Sequence, residues 1–428
     1  MATEAEALET ALWRREAGLS RAADRWGSLA HLGALAFVAV LYANPAYWIP
    51  GLEGTRFAVA AAAVCAAAVI ARRITGGERI RTGGPASLLL FGYAGWAALS
   101  YLWAVDRDAT RQGVIDVAKL VIIYVGVLNS LGTPKRLQRF MAVASLASLA
   151  PAIGAIRTWI AKDNLIEGTR THWVGLFADP NRLAMSLVAV LPFALWMATR
   201  ARRPAVKLLF AAVVACQLAA IVLAQSRSGS VALALALVLF LMRGRGITPA
   251  KGLLLGAAML LGVVLLAPRS FWQRNSTIVE YREDASVAGR RHAWQVLGAI
   301  VQERPLGGVG VSGFIHAWDR YAPLEAGGHR LIPHNIFMET LGELGIPGVM
   351  LLFSFTVGLL FRLWPAVNSR LVGSEARAIL AGLSGYVLCE LVNGYSLSWF
   401  LYFLFAFAVA TLRLARFQTL MAQKGSSS

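Results

Sequence analysis

The chain has 428 residues, of which 57% are hydrophobic and only 15% charged, and its mean hydropathy is +0.59. That balance excludes an ordinary soluble globular protein of this size. The formal charge of +18 could point to nucleic acid, but the basic residues follow membrane topology, as set out below, and no nucleic-acid partner is expected.

Residues 1–27 are polar and carry Glu4, Glu6, Glu9, Arg14, Arg15, Arg21 and Arg25. They read either as an interfacial helix with Leu8, Leu12 and Trp13 on one side or as a solvated tail. No small-residue cleavage site follows a short apolar core, so no cleavable signal peptide is expected. Apolar spans follow near 28–48, 55–71, 86–104, 113–131, 138–158, 182–199, 206–224, 229–242, 252–267, 335–361, 376–394 and 397–412. That is about twelve, each close to the roughly 20 residues that cross a bilayer as a helix. The short alternating segments of a transmembrane barrel are not evident. The expected fold is an all-α polytopic membrane protein. Its parts are a cytoplasmic N-terminal segment (1–27), helices over 28–267, a large extracytoplasmic loop (268–333), further helices over 334–412, and a cytoplasmic tail (413–428). Cys65, Cys216 and Cys389 all lie in apolar runs and read as small core residues.

Lysine and arginine alternate along the connecting segments. The N-terminal segment, 72–81, 135–139, 200–207, 243–251, 362–377 and 413–424 are basic. Residues 49–54, 105–112, 159–181, 225–228 and 395–396 are sparse or balanced. The positive-inside rule puts the basic set and both termini in the cytoplasm, against anionic membrane lipid. The long loop is basic yet external, as long loops translocate largely regardless of charge. Asp179, Arg227, Arg290 and His334 then fall on one, extracytoplasmic, side.

Four places on that side carry candidate chemistry. Asp179 precedes Pro180, the pattern of a helix N-cap followed by proline at the first helical position; Asn181 and Arg182 would then sit in the first turn, in reach of a polar ligand. Arg227 lies in Ser226-Arg227-Ser228-Gly229, a tight connection between two apolar spans. A cation at a helix N-terminus opposes the helix dipole, and a bound phosphate would relieve the conflict. The alternative is an arginine that snorkels to the interface.

Within the long loop, residues 286–300 read as a helix. Arg290 and Trp294 share a face, and Arg291 lies about 100° round. Paired arginines beside an aromatic suit a diphosphate-linked sugar; a solvated amphipathic helix on the membrane is the other reading. Pro333 is expected to open the next helix and to put His334 in its first turn, where the dipole keeps imidazole neutral and fit to act as a general base. Asn335, Glu339 and Glu343 follow at intervals of four as a polar stripe, which must face the protein interior. The Leu344–Gly348 stretch is expected to kink that helix. No metal-ligand spacing, P-loop or dinucleotide fingerprint is present, so no cofactor is expected.

Five motifs occur in order: Gly175-Leu176-Phe177-Ala178-Asp179-Pro180-Asn181-Arg182-Leu183-Ala184; Ser226-Arg227-Ser228-Gly229; Gly289-Arg290 with Trp294; Pro305-Leu306-Gly307-Gly308-Val309-Gly310; and His334-Asn335 with Glu343-Leu344-Gly345-Ile346-Pro347-Gly348. Together they resemble the O-antigen ligase superfamily, which also holds O-antigen polymerases and protein O-oligosaccharyltransferases. The resemblance spans roughly residues 170–350. It implies a metal-independent inner-membrane glycosyltransferase of GT-C-like architecture with about twelve spans and a periplasmic loop. It also implies an undecaprenyl-diphosphate-linked glycan as donor and, for a ligase, a sugar hydroxyl of lipid A–core oligosaccharide as acceptor. The family's arginines fall on Arg227 and Arg290 and its histidine on His334. The doubling of Arg290 by Arg291 leaves two claimants for one role, and the Gly-Arg-x-x-x-Trp spacing favours Arg290. A lipid or solute transporter, with Lys119 and Glu390 marking a path, is the reading from another class; no internal repeat accompanies it.

Overall fold

A computed structural model describes residues 21–76, 80–241, 249–276, 285–323, 330–394 and 396–425. Residues 1–20 and His329 lie outside these, and so does the expectation of an N-terminal interfacial helix. The described residues are helices and their connections. The chain order is α1 (Arg21–Ala43), α2 (Phe57–Gly76), α3 (Pro85–Leu99), α4 (Arg107–Ser130), α5 (Pro134–Ala147), α6 (Leu149–Ala161), α7 (Pro180–Arg200), α8 (Pro204–Ala224), α9 (Arg227–Leu241), α10 (Pro249–Leu266), α11 (Arg269–Ser276), α12 (Ala285–Glu303), α13 (Trp318–Tyr321), α14 (Ile336–Ala366), α15 (Gly373–Asn393) and α16 (Trp399–Gly425). Among the described residues eight candidate membrane spans, α1, α2, α4, α5–α6 together, α7, α8, α14 and α16, are long and apolar enough to cross a bilayer. The protein is an all-helical, polytopic membrane protein. Four more helices, α3, α9, α10 and α15, coincide with the remaining apolar spans of the sequence.

Helix starts follow local chemistry. Proline opens α3, α5, α7 and α8, where its missing N–H is no loss. Asp106 caps α4 through Ala109 N (2.9 Å) and Thr133 caps α5 through Arg136 N (3.0 Å). The apolar run near 138–158 is two helices instead of one. Pro151 has no N–H for the carbonyl of Ala147, and the chain breaks at Ser148. The Ser148 hydroxyl there accepts from Gln217 Nε2 (2.7 Å) of α8.

Helices α7 and α16 form the centre. Every residue of α7 from Leu183 to Trp196 is buried, and Phe193 packs edge-on against Phe407 of α16 (5.3 Å). Helix contacts are close where side chains are small: the Gly33 position lies against the Cys65 backbone, and Gly382 of α15 lies directly against the Ala189 carbonyl of α7. Without a hydrophobic drive between helices in lipid, such packing and interhelical hydrogen bonds carry association. One such bond runs from Tyr42 Oη to the Ser186 carbonyl (2.9 Å). Lys119 pairs with Asp116 one turn earlier (2.8 Å) on the partly exposed face of α4, an arrangement that needs no transport path.

The two ends of the bundle differ. At one end Gln138 Nε2 donates to Glu375 Oε1 (2.9 Å) and Arg81 N donates to Asn129 Oδ1 (2.8 Å), among the basic connections. The other end gathers residues 162–179, 225–226, 394, 396–398 and the described residues of the long loop. Those loop residues are largely helical. The apolar side of α12 (Ala293, Val296, Leu297, Ile300) packs on Val309, Phe314, Ala317 and Trp318.

The segment after α12 is fastened to α14. Val309 N and Gly310 N donate to the carbonyls of Gly342 (3.0 Å) and Glu343 (2.9 Å). The expected kink is present: Gly345 leaves helical geometry with φ 66° and ψ −169°, and Ile346 N turns outward to Pro305 O (2.8 Å). Gly308 and Gly345 pack against the opposing backbones of Glu343 and Leu306 with no room for a Cβ.

Candidate active site

Asp179 caps α7 as its sequence requires: Oδ1 accepts from Asn181 N (2.8 Å) and Arg182 N (3.0 Å), with Pro180 at the first helical position. This presents Asn181 sideways to the next connection. Asn181 Oδ1 accepts from Ser226 Oγ (2.8 Å) and from Arg170 Nη2 (2.9 Å). Ser226 in turn caps α9, accepting from Gly229 N (3.1 Å), which puts Arg227 in the first helical position, half-buried. The turn into α9 depends on Gln225, whose left-handed φ of 50° ends α8; its amide nitrogen donates to Thr169 O (3.0 Å) and Ser270 Oγ (2.8 Å).

The network continues across the bundle. Asn393 Nδ2 donates to Ser228 Oγ (3.3 Å), and the Asn393 carbonyl lies 3.2 Å from His334 Nδ1. A carbonyl only accepts, so the proton sits on Nδ1, and in the neutral ring Nε2 keeps its lone pair. Burial lowers the proton affinity of His334 below the ordinary histidine value, and the Arg290 charge acts the same way. The Asn393 carbonyl and the Asp179 carboxylate oppose both without reversing the shift. Arg290 and Asp179 are thereby the charges that His334 faces.

The placement of His334 differs from the sequence expectation in one respect. Asn335, not a residue before it, is the N-cap of α14: Oδ1 accepts from Phe337 N (2.9 Å) and Met338 N (3.1 Å). His334 therefore lies one residue outside the helix, in left-handed conformation with φ 53°. Proline restrains its own φ but donates no capping side chain, and asparagine does, so the cap falls at Asn335. The neutrality of the ring accordingly comes first from burial. Asn335 Nδ2 also donates to Leu391 O (3.0 Å), so Asn335 is a structural cap and not the head of a polar stripe. Glu339 accepts from the backbone of Ser396 and faces the charge of Arg182. Glu343, 5% exposed, accepts from the backbones of Ser312 and Phe314. Both carboxylates face protein.

Helix α12 covers this group. Arg290 is half-buried toward His334 and Arg291 is exposed. Trp294, one turn on from Arg290, donates from Nε1 to Pro333 O (3.1 Å) and so ties the covering helix to the residue before His334.

The structure thus brings Asp179, Asn181, Arg227, Arg290 and His334 to one end of the bundle, while Arg291 points away. Two contributors were not singled out from sequence. Arg170, 5% exposed, joins Asn181, the Ala224 carbonyl (3.2 Å) and Glu167 (3.4 Å); being the single arginine of a charge-balanced connection was its only signal. Asn393 links Ser228 to His334, and its signal was the Asn393-Gly394 pair at the end of a span, a common helix stop. Among the described residues no three His, Cys, Asp or Glu side chains gather as a metal-ligand set.

No curated protein matches the chain. A family model described as O-antigen ligase matches residues 212–353, a stretch that runs from within α8 to within α14 and holds Arg227, Arg290 and His334. Over residues 212–353 the chain is therefore similar to the O-antigen ligase family, to which the ordered motifs pointed.

Proposed function

We propose that the protein is an O-antigen ligase that moves a glycan from undecaprenyl diphosphate to a sugar hydroxyl of lipid A–core oligosaccharide. In this reading it is a twelve-span, GT-C-like enzyme of a Gram-negative inner membrane, with both termini cytoplasmic and the site on the periplasmic face. The observation that carries the reading is the meeting of His334, its Nε2 lone pair available, with the Arg290 charge and, through Asn393 and Ser228, with the helix start that bears Arg227.

The chemistry follows from those positions. Arg227 and Arg290 hold the donor diphosphate by charge-assisted hydrogen bonds, and the N-terminus of α9 adds its dipole. The acceptor hydroxyl attacks the anomeric carbon and the carbon–oxygen bond to the diphosphate breaks. The leaving diphosphate takes the bonding pair, and its developing charge is met by the arginines. His334 Nε2 takes the hydroxyl proton, a role that contributes about 10²–10⁴-fold in general-base catalysis. A single displacement of this kind inverts the anomeric centre. The sugar–diphosphate bond is already activated, so the reaction needs no nucleotide.

The test is transfer by purified protein in liposomes from a labelled lipid-linked glycan, offered three acceptors separately: lipid A–core, a second lipid-linked glycan, and a pilin-like protein. Transfer to lipid A–core supports the ligase; transfer to lipid-linked glycan alone makes it a polymerase, and to protein alone an oligosaccharyltransferase. Flipping of labelled lipid with no transfer to any acceptor would refute the enzyme reading.

A further inference from the structure

At the end of the bundle opposite His334, a cavity of about 380 Å³ opens between the connection before α3, the late turns of α14, and α16. Arg81, Arg362, Arg413 and Arg416 line it, and Ile80, Val409 and Leu412 form apolar wall. Among the described residues that line it there is no acidic side chain. Guanidinium groups present planar forks of N–H donors that match phosphate oxygens, so a rim of four suits an anionic phosphate group.

The connection is held in shape at this point. The Arg81 backbone is fixed from both sides by Asn129, which accepts from Arg81 N (2.8 Å) and donates to Arg81 O (2.9 Å). Gly83 then turns with φ 94°, its α-carbon so close to Val409, Ser87 and Tyr124 that a side chain there would press into them. The basic rim is therefore set over apolar wall by packing and is not only a row of surface charges. A diphosphate or free phosphate would use the arginines and leave the apolar wall unused. A phospholipid with an anionic headgroup uses both.

We propose that this cavity binds the headgroup of an anionic phospholipid, with an acyl chain along Val409 and Leu412. The site is separate from the candidate active site, and the inference does not depend on the proposed reaction. Charge near a membrane surface contributes on the order of 1 kcal/mol per arginine. Replacing one of the four then weakens retention about fivefold, and replacing three weakens it on the order of a hundredfold.

The experiment is native mass spectrometry of the full chain from mixed vesicles of phosphatidylcholine and phosphatidylglycerol, after mild delipidation. The expected result is selective retention of phosphatidylglycerol by the native protein and its loss in the variant Arg362→Gln/Arg413→Gln/Arg416→Gln. Arg202→Gln/Arg203→Gln, exposed on the same end, should retain it. Unfolding midpoints identify any variant that has not folded. Equal retention of both lipids, equal loss in the Arg202/Arg203 variant, or displacement of the lipid by inorganic phosphate at physiological ionic strength would overturn the proposal.

Discussion

Replacing His334 by alanine and, separately, by glycine separates two roles that the residue combines. With φ 53°, His334 holds a conformation that costs a residue with a Cβ about 1–2 kcal/mol. Gly394 packs against it so closely that a Cβ there would stand 3.0 Å from His334 Cα and 2.7 Å from Asn335 N. The surroundings therefore enforce the conformation. Alanine keeps the strain and loses the bond to the Asn393 carbonyl, a loss of about 1 kcal/mol. Glycine loses the same bond but relieves about 1.5 kcal/mol of strain, against roughly 0.7 kcal/mol of added freedom in the unfolded chain. The glycine variant should come out near the native stability, and about 1 kcal/mol above the alanine variant. Both should lose transfer by about 10²–10⁴-fold, since neither carries a base. Denaturant unfolding in micelles and transfer from a labelled lipid-linked glycan in liposomes measure the two quantities on the same preparations. Near-native transfer by either variant refutes the base. An alanine variant more stable than the glycine variant refutes the stored strain.

Three further outcomes follow from the same geometry. Because His334 binds protons less readily than an ordinary histidine, the neutral base persists below the usual pKa of 6.5. Transfer should thus be level at neutral pH and fall only as pH drops through a value below 6.5; Arg290→Gln should move that fall to higher pH and Asp179→Asn to lower pH, and a pH–rate profile with no such movement contradicts the contacts. Arg290→Gln should reduce turnover by about 10²–10³-fold, the size of effect seen when a transition-state donor is removed, while Arg291→Gln should change it by no more than a few-fold; single-turnover rates decide between them. Arg170→Ala should lower stability by roughly 1–3 kcal/mol, because it takes a donor from the buried Ala224 carbonyl and cuts the link to the half-buried Asn181, and Arg170→Lys should recover little of this, lacking the fork that reaches Asn181 and Ala224 together; thermal midpoints in micelles test both.

The sequence shows the scaffold and the site's members more clearly than how they are held. Apolar runs and alternating loop charges suffice for the helices, because lipid demands internally bonded backbone and the translocation machinery reads lysine and arginine. Caps such as Asp179 are local, with all their partners within three residues, so a short motif reveals them. The helix start was placed at Pro333, three residues before Ile336, because two local signals competed: proline as a helix opener and asparagine as a cap. The side-chain cap prevailed. Arg170 and Asn393 carried only weak signals. Each is fixed in part by a partner far along the chain, 54 and 165 residues away, and neither residue's type singles it out among polar residues at span ends.

The stretches Pro305–Gly310 and Glu343–Gly348 belong to two separate motifs of the sequence. They are two sides of one backbone contact. Gly308 lies on Glu343, Gly345 lies on Leu306, and Ile346 N, freed by the kink, is satisfied by Pro305 O. Glycine is required at both places because a Cβ on either would enter the other's main chain. The kink is thus where the helix containing Glu343 accepts the segment that follows α12. Since α12 carries Arg290 and Trp294, and α14 begins just after His334, this contact fixes the arginine-bearing cover to the element that bears the histidine. On this argument the glycine motif does no chemistry. It sets the distance across which Arg290 and His334 face each other, which the proposed reaction needs as much as it needs the two side chains.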